Sequence, residues 1–179
     1  MKHYSYLFLI FICLYCKKEQ KLSAPGPFRG TGSAVVNGQN WKAHRVECRI
    51  DVPCYPGRLS IAFHTFSSEG FLRETMVIYK MPIIVKESRI DTVNYATLCS
   101  DTSVGANYGT IAGHGDISKD YYTVLESESN KINITYYNPE TKIVIGTFDV
   151  SFIIKSRQDP LAPDTIRFMN GRFLTKILR

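Results

Sequence analysis

The stretch GTIAGHGDISKD, residues 109–120, concentrates potential chemistry: His114, Asp116 and Asp120 stand among glycines that let a ligand approach the backbone closely. An imidazole and two carboxylates are residue types that hold a metal or a polar ligand, or move a proton. The same composition also makes a glycine-rich turn between strands, with both aspartates bonding their own backbone, and this is the reading the pattern favours. A phosphate loop is excluded, because the Gly-Lys-Ser/Thr ending and the helix that follows it are missing. Glu126 and Glu128 form a second pair. Two carboxylates on one face can do acid–base work on sugars, but beside the turn Ser127–Asn130 they read more simply as surface charge. None of G-x-S-x-G, S-x-x-K or H-E-x-x-H occurs, so no nucleophile or zinc-hydrolase motif is present. No cofactor is implied.

Cysteine chemistry comes next. The chain opens MKHYSY, short and positively charged, then runs LFLIFICLY to Cys16. So short an apolar helix spans about 14 Å, under half of a ~30 Å hydrocarbon core, which fits an export signal and not a membrane span. An apolar segment that stops at a cysteine, followed by the polar, glycine- and proline-rich stretch to Gly30, resembles a bacterial lipoprotein signal. That resemblance implies cleavage before Cys16, lipidation of its thiol, and attachment to the membrane through several acyl chains. Tyr15 and Cys13 depart from the small and aliphatic residues usual at those positions, and Cys13 is the alternative lipidation site. CKKEQ after so short a signal resembles the lipoproteins of Bacteroidota, which implies the outer membrane, facing the periplasm or the outside. Residues 1–15 are then the signal, 16–30 a flexible tether and 31–179 the folded domain. Cys48, Cys54 and Cys99 remain. Cys48 and Cys54 flank a proline-containing loop that a disulfide would close; Cys48–Cys99, or no bridge, stays open. Without CxxC spacing, three cysteines do not make a zinc site.

The elements that must position these residues are strands. In KIVIGTFDVSFIIK, residues 142–155, one face carries Val144, Gly146, Phe148, Val150, Phe152 and Ile154, while the other is polar at its middle. That period of two is a long strand with a core face and a half-wet face. Asn37-Gly38 is a type I′ hairpin signal. Residues 58–66 alternate cleanly, and residues 71–81 are apolar on both faces near Met76–Tyr79. The runs at 121–126, 131–138 and 142–155 read as an up-down-up meander. Met169-Asn170-Gly171-Arg172 is either a hairpin or a glycine bulge inside one long last strand. Trp41 reads as a plug or lid for one end of the sheet. Tyr121-Tyr122 and Tyr136-Tyr137 each place one ring on either side of a strand, one for the core and one free to line a groove. No window shows a helical period. About ten short strands at 8–12-residue spacing predict an all-β domain, an antiparallel sandwich or a lipocalin-like barrel.

The chain has 179 residues and a formal net charge of +6. Its basic residues are scattered, with Lys17-Lys18 the only adjacent pair, so the excess describes a solvated surface and not a nucleic-acid footprint. The segments AVVNGQNWKA, KDYYTVLESESNKINITYYNPETKIVIGTFDVSF and IRFMNGRF resemble a family of small Bacteroidota lipoproteins of unknown function, some described as lipocalin-like. The resemblance spans about Ser33 to Leu178 and implies the fold and the envelope location, with no catalytic or binding residues to carry over. Together these readings predict a lipid-anchored, non-enzymatic envelope domain that binds a small apolar or carbohydrate ligand or an envelope partner. A cavity would favour the small ligand; a filled interior would favour a protein or glycan partner. An envelope glycan or lipid hydrolase is the alternative from another class, and an inhibitor-type domain acting through Asp51–Arg58 or Arg157–Asp164 is a third.

Overall fold

The computed structural model describes residues 30–50, 57–93 and 101–178. The signal, Cys16 and the tether to residue 29 lie outside the described residues, as do Cys54 and Cys99, so the disulfide alternatives do too. Ten strands follow in order: β1 Gly30–Val36, β2 Gln39–Ile50, β3 Arg58–Phe66, β4 Leu72–Pro82, β5 Glu87–Thr92, β6 Val104–Ala112, β7 Ile117–Val124, β8 Lys131–Tyr137, β9 Ile143–Ser156 and β10 Thr165–Leu178. The domain is all-β, as the alternating sequence predicts.

The strands form one sheet whose pairings close on themselves. The ring runs β1, β2, β3, β4, β6, β7, β9, β10 and back to β1. Where β6 and β9 part, β5 and β8 complete the wall: β5 runs parallel to the start of β6, and β8 bridges β5 to the first half of β9. A second parallel contact joins Ile177 to Cys48, so the sheet is mixed and not purely antiparallel. The expected meander also changes. β7 and β8 do not pair with each other; β7 takes the late part of β9 and β8 the early part, end to end along it. The turn between them is pinned to β9 by Asn130, whose side-chain oxygen accepts the Ser151 amide at 2.7 Å, and by the Leu125 amide donating to the Ser151 carbonyl.

The links at residues 37–38, 67–71, 113–116 and 157–164 all fall at one end of the ring. Gly30 and Leu178 lie at the other, beside Val46 and Arg49 of β2. Asn37 and Gly38 both have positive φ, 48° and 84°, the geometry a type I′ turn demands. Asn170 has φ 54° and the β9–β10 register slips between Phe168 and Gly171, so the last strand is one long strand with a bulge.

Aromatic side chains fill the interior. Phe63, Phe148, Phe152, Phe168 and Tyr122 are each at most 1% exposed. Phe63 meets Phe148 at 5.0 Å between ring centroids, and Tyr108 meets Phe168 at 5.4 Å, distances at which tilted and edge-on rings attract. The core face read for β9 is the buried face: Val144, Phe148, Val150 and Phe152 are all sealed. Trp41 is half-buried, its ring edge-on to Phe168 at 5.0 Å.

Candidate functional site

Among the described residues the interior is filled by aromatic side chains, and depressions lie on the outer wall. One depression there lies across β4, β6 and β7, with a volume of about 350 Å³. Its lining follows from strand register. Thr75, Val77 and Tyr79 alternate outward on β4; Asn107 and Gly109 do so on β6; Tyr121 does so on β7. Thr75 pairs with Gly109, and Gly109 pairs with Tyr121. One row across three strands therefore reads threonine, glycine, tyrosine, and the glycine leaves its middle empty. A Cβ at Gly109 would meet nothing closer than the Asp120 carbonyl at 3.4 Å. Packing does not require glycine there, and the missing side chain leaves the middle of the row open.

The walls are ordered by hydrogen bonds. The Asn107 side-chain amide donates to the Tyr79 hydroxyl at 3.2 Å. His64 Nδ1 lies 2.6 Å from the Thr75 hydroxyl. Burial, followed by the nearby charges of Arg45 and Arg49, holds His64 down to about 4, so at neutral pH it fixes Thr75 as an uncharged partner. At the turn end, Gly113 and Gly115 have φ of 61° and 91°, a conformation costly for other residues, and their tight turn brings Asp116 to the rim.

The structure separates the three residues singled out in 109–120. Asp116 reaches the depression. His114 is exposed and sets its ring edge-on against Phe71 at 5.0 Å. Asp120 is only 2% exposed; it accepts the amides of Gln158 and Asp159, both at 2.9 Å, and the Thr110 hydroxyl at 2.8 Å. Burial alone would raise its carboxyl, but those donors hold it below the ordinary value. Asp120 is the brace of the β9–β10 loop. Among the described residues, no three His, Cys, Asp or Glu side chains gather where they could hold a metal.

No family model, curated protein or solved structure matches this chain. The site therefore rests on its own geometry.

The tyrosine pairs divide as their alternation predicts. Tyr122 is fully buried and Tyr121 lines the depression; Tyr137 packs on the core while Tyr136 is 46% exposed. Glu126 is exposed, and Glu128 is committed to a two-pronged pair with Arg167 and to the Ser151 hydroxyl. Cys48 is sealed in the core. The sequence reading missed Glu74. It points inward on β4 and accepts the Trp41 indole N–H and the Thr65 hydroxyl, both at 3.0 Å. Burial, and then the Glu74 carboxylate, push the Tyr108 phenol far above its ordinary value. The signal was available: Glu74 keeps step with Met76 and Ile78, and Trp41 and Tyr108 each need a polar partner when buried.

Tyrosine faces, an amide, hydroxyls and one carboxylate around an empty floor suit a polyhydroxylated ligand. The rings offer flat apolar surface to the C–H faces of a sugar, and the polar groups fix its hydroxyls.

Proposed function

We propose that this protein is a lipid-anchored domain of the bacterial cell envelope that binds a saccharide, without turnover, in the Tyr79–Tyr121 depression. The observation that carries the reading is the empty place at Gly109 between Thr75 and Tyr121. The filled aromatic interior supports binding on the outer wall. The lining holds one carboxylate, Asp116, where glycoside hydrolysis by the usual route needs two, and this favours binding over cleavage. The anchor at Cys16, the outer-membrane location and kinship with Bacteroidota lipoproteins belong to the same proposal. A tether to Gly30 would hold the Gly30 end near the membrane with a flexible reach of about 20 Å, leaving the four-link end outermost.

A second reading, an envelope protein as partner, has one observation in its favour. Leu161 is 91% exposed on a turn braced by Asp120, by the Lys119–Asp159 pair at 2.6 Å and by the Tyr122 hydroxyl donating to the Pro163 carbonyl at 3.1 Å. The Ala162 amide donates to the Asp159 carbonyl, so the segment is a β-turn with Pro160 at its second position. That is a compact knob, unlike the extended strand a substrate-mimicking inhibitor presents.

The test is an array of uncharged envelope and host oligosaccharides probed with the full chain and with Gly109→Val. Binding by the wild type that the variant loses supports the reading. Failure of the wild type to bind any glycan, or equal binding by both, contradicts it.

A further inference from the structure

The opposite wall of the ring carries a second, chemically different row. Across β8, β9, β10, β1 and β2, register aligns Asn133, Thr147, Arg172, Ser33 and Lys42. All five point outward, and Thr147, Arg172, Ser33 and Lys42 are exposed. They border adjoining shallow grooves of about 330, 500 and 600 Å³, and Arg172 lines all three. The wall is pressed inward here by glycines. A Cβ at Gly146 would stand 2.5 Å from the Phe173 ring, and one at Gly32 would stand 2.9 Å from the Phe63 ring. Gly32 and Gly146 lie in the floor of the largest groove.

The charges on this face are unevenly committed. Glu87 pairs with Lys131 at 3.5 Å, and Asp149 accepts the Asn170 amide at 2.7 Å. Among the described residues, neither Arg172 nor Lys42 makes an ion pair. Two cations thus stand about 10 Å apart, two strand spacings, with a hydroxyl between them and a further hydroxyl and amide in line. Thr135 and Ile145 also line the largest of these grooves, adding a further hydroxyl and an apolar side chain.

We infer that this row is a binding site for an extended acidic oligosaccharide, one that carries carboxylate or sulfate groups. The row spans about 19 Å, comparable with a few linked hexoses. A lone phosphate would occupy one cation and leave the hydroxyl and amide positions unused. Arg172 and Lys42 pair with the acidic groups, while Ser33, Thr147 and Asn133 bond the ring hydroxyls. This site is independent of the Gly109 depression.

The experiment is calorimetric titration of the full chain, in neutral detergent, with tetragalacturonate, a chondroitin sulfate tetrasaccharide and uncharged galactotetraose. At least one acidic tetrasaccharide should bind with an affinity that falls as salt is raised. Its affinity should drop about tenfold in the Lys42→Gln, Arg172→Gln double variant, and galactotetraose should show no such loss. Gly109→Val should leave acidic binding unchanged, which separates this site from the depression on the other wall. Binding of neither acidic probe, or equal binding by the double variant, overturns the inference. So does lysine- and arginine-dependent binding to phosphatidylglycerol vesicles without binding of either acidic tetrasaccharide.

Discussion

Thr75 and Tyr121 face each other across Gly109, because β4 and β7 both pair with β6 at that one residue. A strand gains little from an interior glycine, which weakens it by entropy and gives nothing to pack. Here neither positive φ nor crowding calls for it, although the β6–β7 register shifts just beyond it, between Gly109 and Ile111. That glycine leaves an empty place between a hydroxyl and an aromatic ring, and the proposed saccharide binding rests on that relationship.

Adjacent tyrosines should separate binding from stability. Tyr122→Ala removes a fully buried ring and its hydrogen bond to Pro163, a loss of about 3–5 kcal/mol by analogy with buried aromatic truncations. Tyr121→Ala, at a half-buried ring, should cost about 1–2 kcal/mol yet abolish glycan binding. Denaturant melts and titrations of the two variants check this.

The aspartates of 109–120 should behave differently from each other. Asp120→Ala leaves the Gln158 and Asp159 amides without their acceptor and should cost about 2–4 kcal/mol. Hydrogen exchange should then accelerate across residues 157–164. Asp116→Ala should leave both stability and that exchange unchanged while weakening the glycan.

His64 gives the fold a pH signature. Its imidazole is held to about 4 against an ordinary 6.5. Above 6.5 it is neutral in both folded and unfolded chains. As pH falls the unfolded chain takes the proton first, so stability should decline from 6.5 to about 4 and then gain nothing further from this group. His64→Asn, which keeps a hydrogen-bonding partner for Thr75, should flatten that decline in urea melts run across the range. A separate loss at lower pH should survive the substitution. It comes from Glu128, whose carboxyl Arg167 holds down, and from Asp120, held down by its donors against burial; both stabilise the fold above the ordinary carboxylate range and lose that as they protonate.

Two glycines of the wall should respond in opposite ways. A Cβ at Gly146 would fall 2.3 Å from the Asn133 carbonyl oxygen and 2.5 Å from the Phe173 ring. Backbone cannot step aside cheaply, so Gly146→Ala should destabilise by roughly 2–3 kcal/mol. Gly109→Val meets no such contact and should melt within about 1 kcal/mol of the wild type, since valine favours strands.

Local pattern carried much of this architecture. The alternation of Val144, Phe148, Val150 and Phe152 announces the core face of β9, Asn37-Gly38 announces its hairpin, and the split of each tyrosine pair follows from period two. Ring closure left no such trace: β1 meets β10, and β7 meets β9 with β8 intervening in sequence, through pairings between distant segments. Glu74 was obscured because its polarity suggests solvent while its register places it among Trp41, Thr65 and Tyr108. Gly109 was grouped with the turn glycines that follow it, although it lies within a strand and its neighbours there are set by β4 and β7. In sequence Asp120 reads as a possible ligand, and only the return of residues 158 and 159 in space reveals what it binds.

The most direct test is native mass spectrometry of the full chain, in neutral detergent after incubation with uncharged bacterial envelope glycans, compared with Gly109→Val prepared identically. The account predicts an uncharged saccharide mass on the wild type that is absent from a variant of equal stability. The same uncharged saccharide retained by Gly109→Val, or a wild type that stays bare after that incubation, would contradict it.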